Sequence, residues 1–331
     1  MPPLTNHTSA NIPGVVMNCA LHSGKLNICH GNTQSLCARK FAKLDEVKDL
    51  LHNSKVTVAC FTESWLTGQI SDRSIAIPGF AVCRNDRMYQ RGGGIVIYYR
   101  SHLSCRKVFC TQLSAESGNK TESLVVELRF GGETVLLVAV YNPPGNNCSD
   151  FLEEKLVEYA STYNNVLLIG DFNTDMSKPS NLQSQFQSVL DTFALVSVGE
   201  EPTFFHNRGS SQLDLFITSC SDRVLRFNQV GCPALSQHDL IFASLDFDAN
   251  PVPRVNTYRD YVNFDSTSLV DAVSSVPWHN FYEVNDPNEL ADFFNSRMKQ
   301  IHDVCIPLRV IRCRNESNPW FSYEIRKSML E

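Results

Sequence analysis

Asn32, Glu63, Tyr141, Asp171, Asn173, Asp214 and His238 each stand at the end or start of a short apolar run and carry oxygen or nitrogen groups suited to phosphate and cation chemistry. Carboxylates and amides offer the hard oxygens that Mg²⁺ prefers, and a histidine held by a carboxylate becomes a cation that donates to phosphate oxygens. Open α/β folds gather such groups from distant parts of the chain beyond the strand ends. The set suits hydrolysis of a phosphodiester, which needs a charge-stabilising cation, an oriented water and donors aimed at the pentacovalent transition state. In that scheme Glu63 and Asn32 hold the metal, and Asp171, helped by Asn173, orders or deprotonates the attacking water. His238, partnered by Asp214, donates to a non-bridging oxygen, and Tyr141 adds a phosphate donor or assists the leaving group. Taken singly, each has a plainer alternative. Gly170-Asp171-Phe172-Asn173 is also an Asx-type turn, Tyr141 a core tyrosine, Glu63 the start of a loop, and Asp214 or His238 a structural residue.

The elements that must position these residues follow from apolar spacing. Leu26 to Cys29 reads as a strand ending in a polar turn, His30-Gly31-Asn32. A helix is expected from Ala38 to Asn53, with Phe41, Leu44, Val47, Leu50 and Leu51 at helical spacing. Val56 to Phe61 is a buried strand that delivers Glu63. Further strands are expected at 79–84, 95–100, 105–109, 123–130, 134–141, 166–169, 212–218, 224–230 and 240–247, with a hairpin at Gly131-Gly132. Helices are expected from a Ser149 cap to Tyr163 and from Asn181 to Leu195. Hairpins mixed with strand–helix–strand passages predict an α/β protein in which two packed mixed sheets lie between helices. Alternation at the last strand is taken to aim Asp239 away from Gln237.

The organisation expected is a polar leader over 1–24, a core domain over 25–248, and a linker at Pro251 and Pro253 opening a helical connector over 249–331. Within the connector, residues from Tyr258 onward read as helical, most clearly Asn288 to Val304. A hydrophobic content of 43% with 19% charged residues excludes a disordered chain. The net charge of -6 excludes a generally basic nucleic-acid coat protein, but leaves room for a local patch on an enzyme that uses carboxylates to hold metal. Arg84, Arg87, Arg91 and Arg100 flank Gly92-Gly93-Gly94, which reads either as a loop gripping a phosphate strand, with Arg91 supporting substrate, or as a hairpin with solvated arginines. The 12 cysteines include no C-x-x-C pair, and no signal segment or membrane-length apolar run is present, so an intracellular protein with reduced thiols is expected.

In chain order, LNICHGN from Leu26, Thr62 to Leu66 (TESWL), Gly92 to Tyr98 (GGGIVIY), Tyr141 to Pro144 (YNPP), Gly170 to Asn173 (GDFN), Leu213 to Phe216 (LDLF) and Ser236 to Leu240 (SQHDL) resemble the magnesium-dependent endonuclease/exonuclease/phosphatase family, which includes apurinic repair endonucleases and pancreatic deoxyribonuclease. The resemblance implies a four-layer α/β sandwich, Mg²⁺ with Mn²⁺ as a substitute, and DNA as the partner. It places Glu63 on the metal with Asn32 beside it, pairs Asp214 with His238, gives phosphate roles to Tyr141, Asp171 and Asn173, and gives support roles to Thr203 and Ser236. Gln237 and Gln34 depart from the family pattern. Each stands where the family places a carboxylate, which implies weaker metal affinity or activity. TESWL, YNPP and GDFN together look like the endonuclease of Jockey- or CR1-like non-LTR retrotransposons. Tyr258-Arg259-Asp260-Tyr261, Trp278 and Asn318-Pro319-Trp320-Phe321 are similar to the connector preceding their reverse transcriptase. This implies a nuclear DNA-nicking enzyme that leaves a 3′ hydroxyl for reverse transcription, with a reverse transcriptase or element RNA as partner in the full-length parent. Because the chain stops before any polymerase motif, a truncated copy is expected. An abasic-site repair endonuclease and an inactive DNA-binding relic remain as alternatives.

Overall fold

The computed structural model describes residues 21–207, 209–248, 255–261, 264–283, 286–306 and 308–312. Most of the leader, Pro251, Pro253 and the segment from Asn318 to Phe321 lie outside them. The chain divides into two compact units, Met1–Asn250 and Pro251–Glu331.

In the first unit β1 (Lys25–Asn32), α1 (Ala42–His52), β2 (Val58–Thr62), β3 (Phe80–Asn85) and β4 (Ile95–Arg100) come first. Then follow β5 (Ser104–Cys110), β6 (Glu122–Phe130), β7 (Glu133–Tyr141), α2 (Ser149–Ala160), β8 (Asn165–Asp171) and α3 (Asn181–Thr192). The unit closes with β9 (Val196–Val198), β10 (Phe204–His206), β11 (Gly209–Ser211), β12 (Asp214–Thr218), β13 (Val224–Gly231) and β14 (Asp239–Asp248). One sheet has the order β13-β14-β1-β2-β4-β3, the other β5-β6-β7-β8-β12-β9, and β10 with β11 forms a separate hairpin. β1 runs parallel to β2 and β7 parallel to β8, while the other pairs are antiparallel, so both sheets are mixed.

Period-2 alternation sorts each strand between two cores. Leu26 and Ile28 of β1, Val58 and Cys60 of β2, and Ile95 and Ile97 of β4 meet residues of the other sheet, among them Val135, Leu137, Ala139, Leu167, Ile169 and Phe216, in a core between the sheets. The alternate residues Cys29, Ala59, Phe61, Val96 and Tyr98 pack on Leu44, Val47, Leu50 and Leu51 of α1. On the far side, Leu136, Val138, Leu168 and Ile217 pack on Leu152 and Leu156 of α2 and on Phe186, Val189 and Leu190 of α3. The layers therefore run helix, sheet, sheet, helices, which is the four-layer α/β sandwich expected. Each fully buried large apolar side chain contributes roughly 1.5–3 kcal/mol to holding them together.

Several local expectations differ. β1 does not turn at His30 but continues to Asn32, paired with β14 as far as His30 and with β2 through Asn32, so that His30 and Asn32 occupy inner-face positions of the same alternation. α1 starts at Ala42 rather than Ala38, since Arg39, Lys40 and Phe41 are all left-handed (φ 54°, 56° and 70°). Ser149 is the first residue of α2 and does not cap it; Cys148 occupies the cap position. α3 is capped by Ser180, whose hydroxyl accepts from the Gln183 amide at 3.1 Å.

In the second unit β15 (Val255–Arg259) pairs antiparallel with β16 (Leu308–Arg312), and α4 (Ser266–Ser274) and α5 (Pro287–Cys305) lie between them in sequence. Tyr258, expected in a helix, lies instead in a strand, opposite Arg309, a partner too distant in sequence for local periodicity to reveal. Trp278, Phe281, Phe293 and Phe294 form a ring cluster against α5.

Candidate active site at one edge of the sheet pair

A single cross-strand row assembles half of the site. Glu122 of β6 pairs in register with Tyr141 of β7, Tyr141 with Asp171 of β8, and Asp171 with Asp214 of β12. All four side chains face the inter-sheet space, because they continue the inner alternation of Leu137 and Ala139 on β7, Leu167 and Ile169 on β8, and Phe216 on β12. Opposite them, the inner face of β1 continues past Leu26 and Ile28 to His30 and Asn32. β14 is antiparallel to β1, so its start, immediately after His238, lies at the same edge. Gly170 permits this close assembly: at φ 154° it sits where a Cβ would lie 1.9 Å from the Val140 carbonyl oxygen.

The side chains connect across the two sheets. The Asn32 amide nitrogen donates to Glu63 Oε1 at 3.2 Å and to Asp171 Oδ2 at 2.9 Å. Asp214 Oδ2 accepts from His238 Nδ1 at 2.7 Å and its Oδ1 from His30 Nε2 at 3.0 Å, and the other nitrogen of His30 meets the Cys60 carbonyl at 3.1 Å. The Phe204 ring lies 4.5 Å from the His238 ring, centroid to centroid. The Asn173 amide nitrogen donates to the Asn142 carbonyl and its backbone N–H to Asp171 Oδ1, so it braces the turn that carries Asp171. Glu63 and Asn173 are both left-handed, at φ 48° and 47°, a conformation that a glutamate tolerates only where its surroundings hold it. The Glu63 carbonyl accepts from Ser35 and Thr33, and its carboxylate from the Trp65 indole at 3.3 Å.

The electrostatics separate the carboxylates into two kinds. Burial and then the neighbouring Asp214 charge push Asp171 well above the usual carboxylate range. Burial acts the same way on Asp214, but His238 and His30 outweigh it and hold Asp214 below that range. Burial alone would lower His238, yet Asp214 first, with Asp171 and Glu63 behind it, raises it above the ordinary histidine value. Asp214 and His238 thus form a charged pair at neutral pH. Burial, then Glu63 and Asp171, push the Tyr141 hydroxyl upward, so it acts as a donor, and it is hydrogen-bonded to Glu63.

The donor chemistry suits a divalent cation. Glu63 is half-buried and open to the edge, and its oxygen and that of Asp171 converge on one N–H₂ group, the position where two carboxylates call for positive charge. Ligand atoms of Asp171, Asp214 and His238 also lie within 4.8 Å of one another. In that trio both Asp214 oxygens and His238 Nδ1 are taken by hydrogen bonds; the half-buried Glu63 carboxylate is the hard oxygen group open at the edge, and Asn32 beside it turns its N–H₂ to Glu63 while its Oδ1 accepts from the Gln34 amide at 3.1 Å.

All seven principal residues meet at this edge, while the three supporting ones differ. Thr203 is buried, and its hydroxyl accepts from the Leu213 and Asp214 amides, which fixes the start of β12. The Ser236 hydroxyl donates to the Asn32 carbonyl at 2.6 Å and accepts from the His238 amide at 3.1 Å, tying two site segments together. Arg91 is exposed, its guanidinium 5.0 Å from the centre of the Trp65 ring. The other arginines do not form a phosphate grip. Arg84 pairs with Asp72 and Asp86, Arg100 donates to backbone carbonyls of Leu51, Ser54 and Val56, and Arg87 is buried against Glu122. The Gly94 amide donates to Glu122 at 2.6 Å instead of awaiting phosphate.

Sequence reasoning missed His30 and Glu122. The signal for His30 was available: it lies two residues before Asn32 and two after Ile28, on the inner face of a strand taken to end too soon. Gln237 is exposed, and Asp239 lines the same cavity of about 840 Å³ as Gln237 and Gln34. Asp239 therefore does not point away from Gln237, since a two-residue period puts both on one side.

Comparison with known proteins adds three findings. The sequence model of the Endonuclease/Exonuclease/phosphatase family matches residues 26–277. No curated protein matches the sequence. Among solved structures, the 3′ phosphatase NExo from Neisseria bound to product DNA hairpin superposes with a TM-score of 0.53 at 17% identity, covering 67% of this chain and 99% of that one. AP endonuclease LMAP from Leishmania major gives 0.54 at 15% identity, covering 67% and 88%. The endonuclease domain of TRAS1, a telomere-specific non-LTR retrotransposon, gives 0.52 at 18% identity, covering 67% and 98%. At these identities the likeness is one of fold.

Proposed function

The chain belongs to the Endonuclease/Exonuclease/phosphatase family, and from that premise we propose that it is a divalent-cation-dependent DNA endonuclease that nicks target DNA and leaves a 3′ hydroxyl for target-primed reverse transcription. The observation that carries this reading is the meeting of Glu63 with the Asp214–His238 pair at one edge, bridged by Asn32 and Asp171. The likeness to the TRAS1 domain supports a retrotransposon endonuclease, and the motifs TESWL, YNPP and GDFN point the same way.

Glu63 would hold Mg²⁺, or Mn²⁺ in its place, with Asn32 beside it, and the cation would supply charge neutralisation at the phosphate. His238, kept charged by Asp214, presents its Nε2–H to a non-bridging oxygen of the scissile phosphate. Asp171, when ionised, accepts the proton of the attacking water while Asn32 and Asn173 fix its two oxygens. Tyr141 donates to the phosphate or leaving oxygen from the same row. Arg91, exposed over Trp65 beside Glu63, contacts the approaching strand. Gln237 lies outside this hydrogen-bonded cluster, so its neutral amide leaves the His238 pairing intact; any weakening it causes acts on the metal neighbourhood. DNA cleavage for an element of this kind takes place in the nucleus, and among the described residues no helix is long and apolar enough to cross a membrane.

The test is end chemistry. Supercoiled plasmid nicked by the purified protein in Mg²⁺ should be extended directly by a template-dependent DNA polymerase. Nicks that need phosphatase treatment before extension would contradict the priming role, and strong preference for an abasic over an intact duplex would replace it with repair. Bound but uncut plasmid in both Mg²⁺ and Mn²⁺ would mark an inactive relic.

A further inference from the structure

We propose that His30 is a positioning residue of this site, wedged between the two sheets so that Asp214 keeps one oxygen turned toward His238. The inference rests on the endonuclease reading above and adds a residue to it. His30 is fully buried on β1, in the sheet that carries Asn32, Glu63 and His238, whereas Asp214 is on β12 in the opposite sheet. Its ring spans the gap: Nε2 meets Asp214 Oδ1 at 3.0 Å, and Nδ1 meets the Cys60 carbonyl of β2 at 3.1 Å. Cys60 lies three residues before Glu63 on the same chain segment.

Two consequences follow. An aspartate held only by His238 could rotate about its last side-chain bond. With Oδ1 occupied by His30 and the start of β12 fixed by Thr203, Oδ2 stays directed at His238 Nδ1 at 2.7 Å. His30 also ties the β2 backbone, and with it the segment that presents Glu63, to the carboxylate of the other sheet. It thereby sets the span between the metal side and the histidine side of the site, where misplacement by an ångström costs rate heavily. A histidine that only filled space would not need its two nitrogens on two different working segments.

Side-chain geometry separates the two contacts. The amide nitrogen of glutamine reaches the place of Nε2, and that of asparagine the place of Nδ1. His30→Gln should keep the Asp214 contact and nick supercoiled plasmid in Mg²⁺ within about threefold of wild type. His30→Asn keeps only the Cys60 contact and should lose about 10- to 100-fold in kcat with KM within about twofold. Equal rates for the two variants, or a change confined to KM, would overturn the proposal. A second measurement depends neither on a variant folding nor on nicking. In wild-type protein with ¹⁵N-labelled histidine, NMR should show slowly exchanging, low-field ring protons on both His30 Nε2 and His238 Nδ1. A His30 Nε2 proton in fast exchange with solvent would overturn the wedge, whereas absence of nicking with both protons protected would overturn only the endonuclease reading.

Discussion

The middle of the inter-sheet space and its edge are built by the same strands and the same inner faces, yet one is wholly apolar and the other almost wholly polar. Ile28, Ala139, Ile169 and Phe216 fill the middle; one alternation further along the strands stand His30, Tyr141, Asp171 and Asp214. The middle is held by burial, which is indifferent to small differences in direction. At the edge, buried polar groups are costly unless each has a partner, and the partners found there fix direction closely. The comparison teaches that the core sets the spacing and the edge uses it, so damage to one should be separable from damage to the other.

The largest separation is expected for Asp214→Asn. It leaves the middle untouched but weakens the charged partner of His238, so kcat for plasmid nicking should fall about 10²- to 10⁴-fold while the protein still unfolds cooperatively. If nicking survived, the edge would be merely structural. Leu137→Ala is the converse: a fully buried side chain lost between the sheets should cost about 2–5 kcal/mol in denaturant unfolding, with the folded fraction nicking at the wild-type rate at low temperature. A kcat loss matching that of Asp214→Asn would erase the distinction.

Asp171→Asn sharpens the contrast through pH. Because the Asp171 carboxyl is raised in the folded chain, its contribution to stability is fully present below the ordinary carboxylate value and is lost as pH rises toward the folded value. The uncharged amide escapes that loss. In chelator, the variant should therefore gain about 1–2 kcal/mol over wild type, roughly 3–6 °C in melting, near pH 8, and the gain should shrink as pH falls toward 4. A gain that grew on acidification would contradict the assigned burial effect. The smallest effect is expected for Arg91→Ala: exposed above Trp65, it should raise KM about threefold or less and reduce the salt dependence of binding, with kcat unchanged.

Two sheets between helices could be read from the sequence because hairpins alternate with strand–helix–strand passages, and continuous apolar runs mark the strands buried on both faces. The seven principal residues were legible as polar groups at strand ends, but their mutual placement was not. The row from Glu122 through Tyr141 and Asp171 to Asp214 depends on register between strands far apart in sequence. His30 was hidden by the rule that made the other residues visible: a polar residue after an apolar run reads as the end of a strand, whereas here β1 continues and the polarity belongs to the site. Arg87 misled in the other direction and Glu122 drew no reading, since each looks solvent-facing alone and their burial follows only from their pairing. The β15–β16 pair, closed across the whole second unit, left no local trace.

The most direct test of the account is relaxation of supercoiled plasmid by wild-type protein, Glu63→Ala and His238→Ala, each with Mg²⁺ and with chelator. Wild type should produce open circles only with the cation, and both variants should be slower by at least about 100-fold despite lying on segments from different parts of the chain. Nicking by either variant at the wild-type rate, or undiminished nicking in chelator, would contradict the claim that the two sheets bring one catalytic site together at this edge.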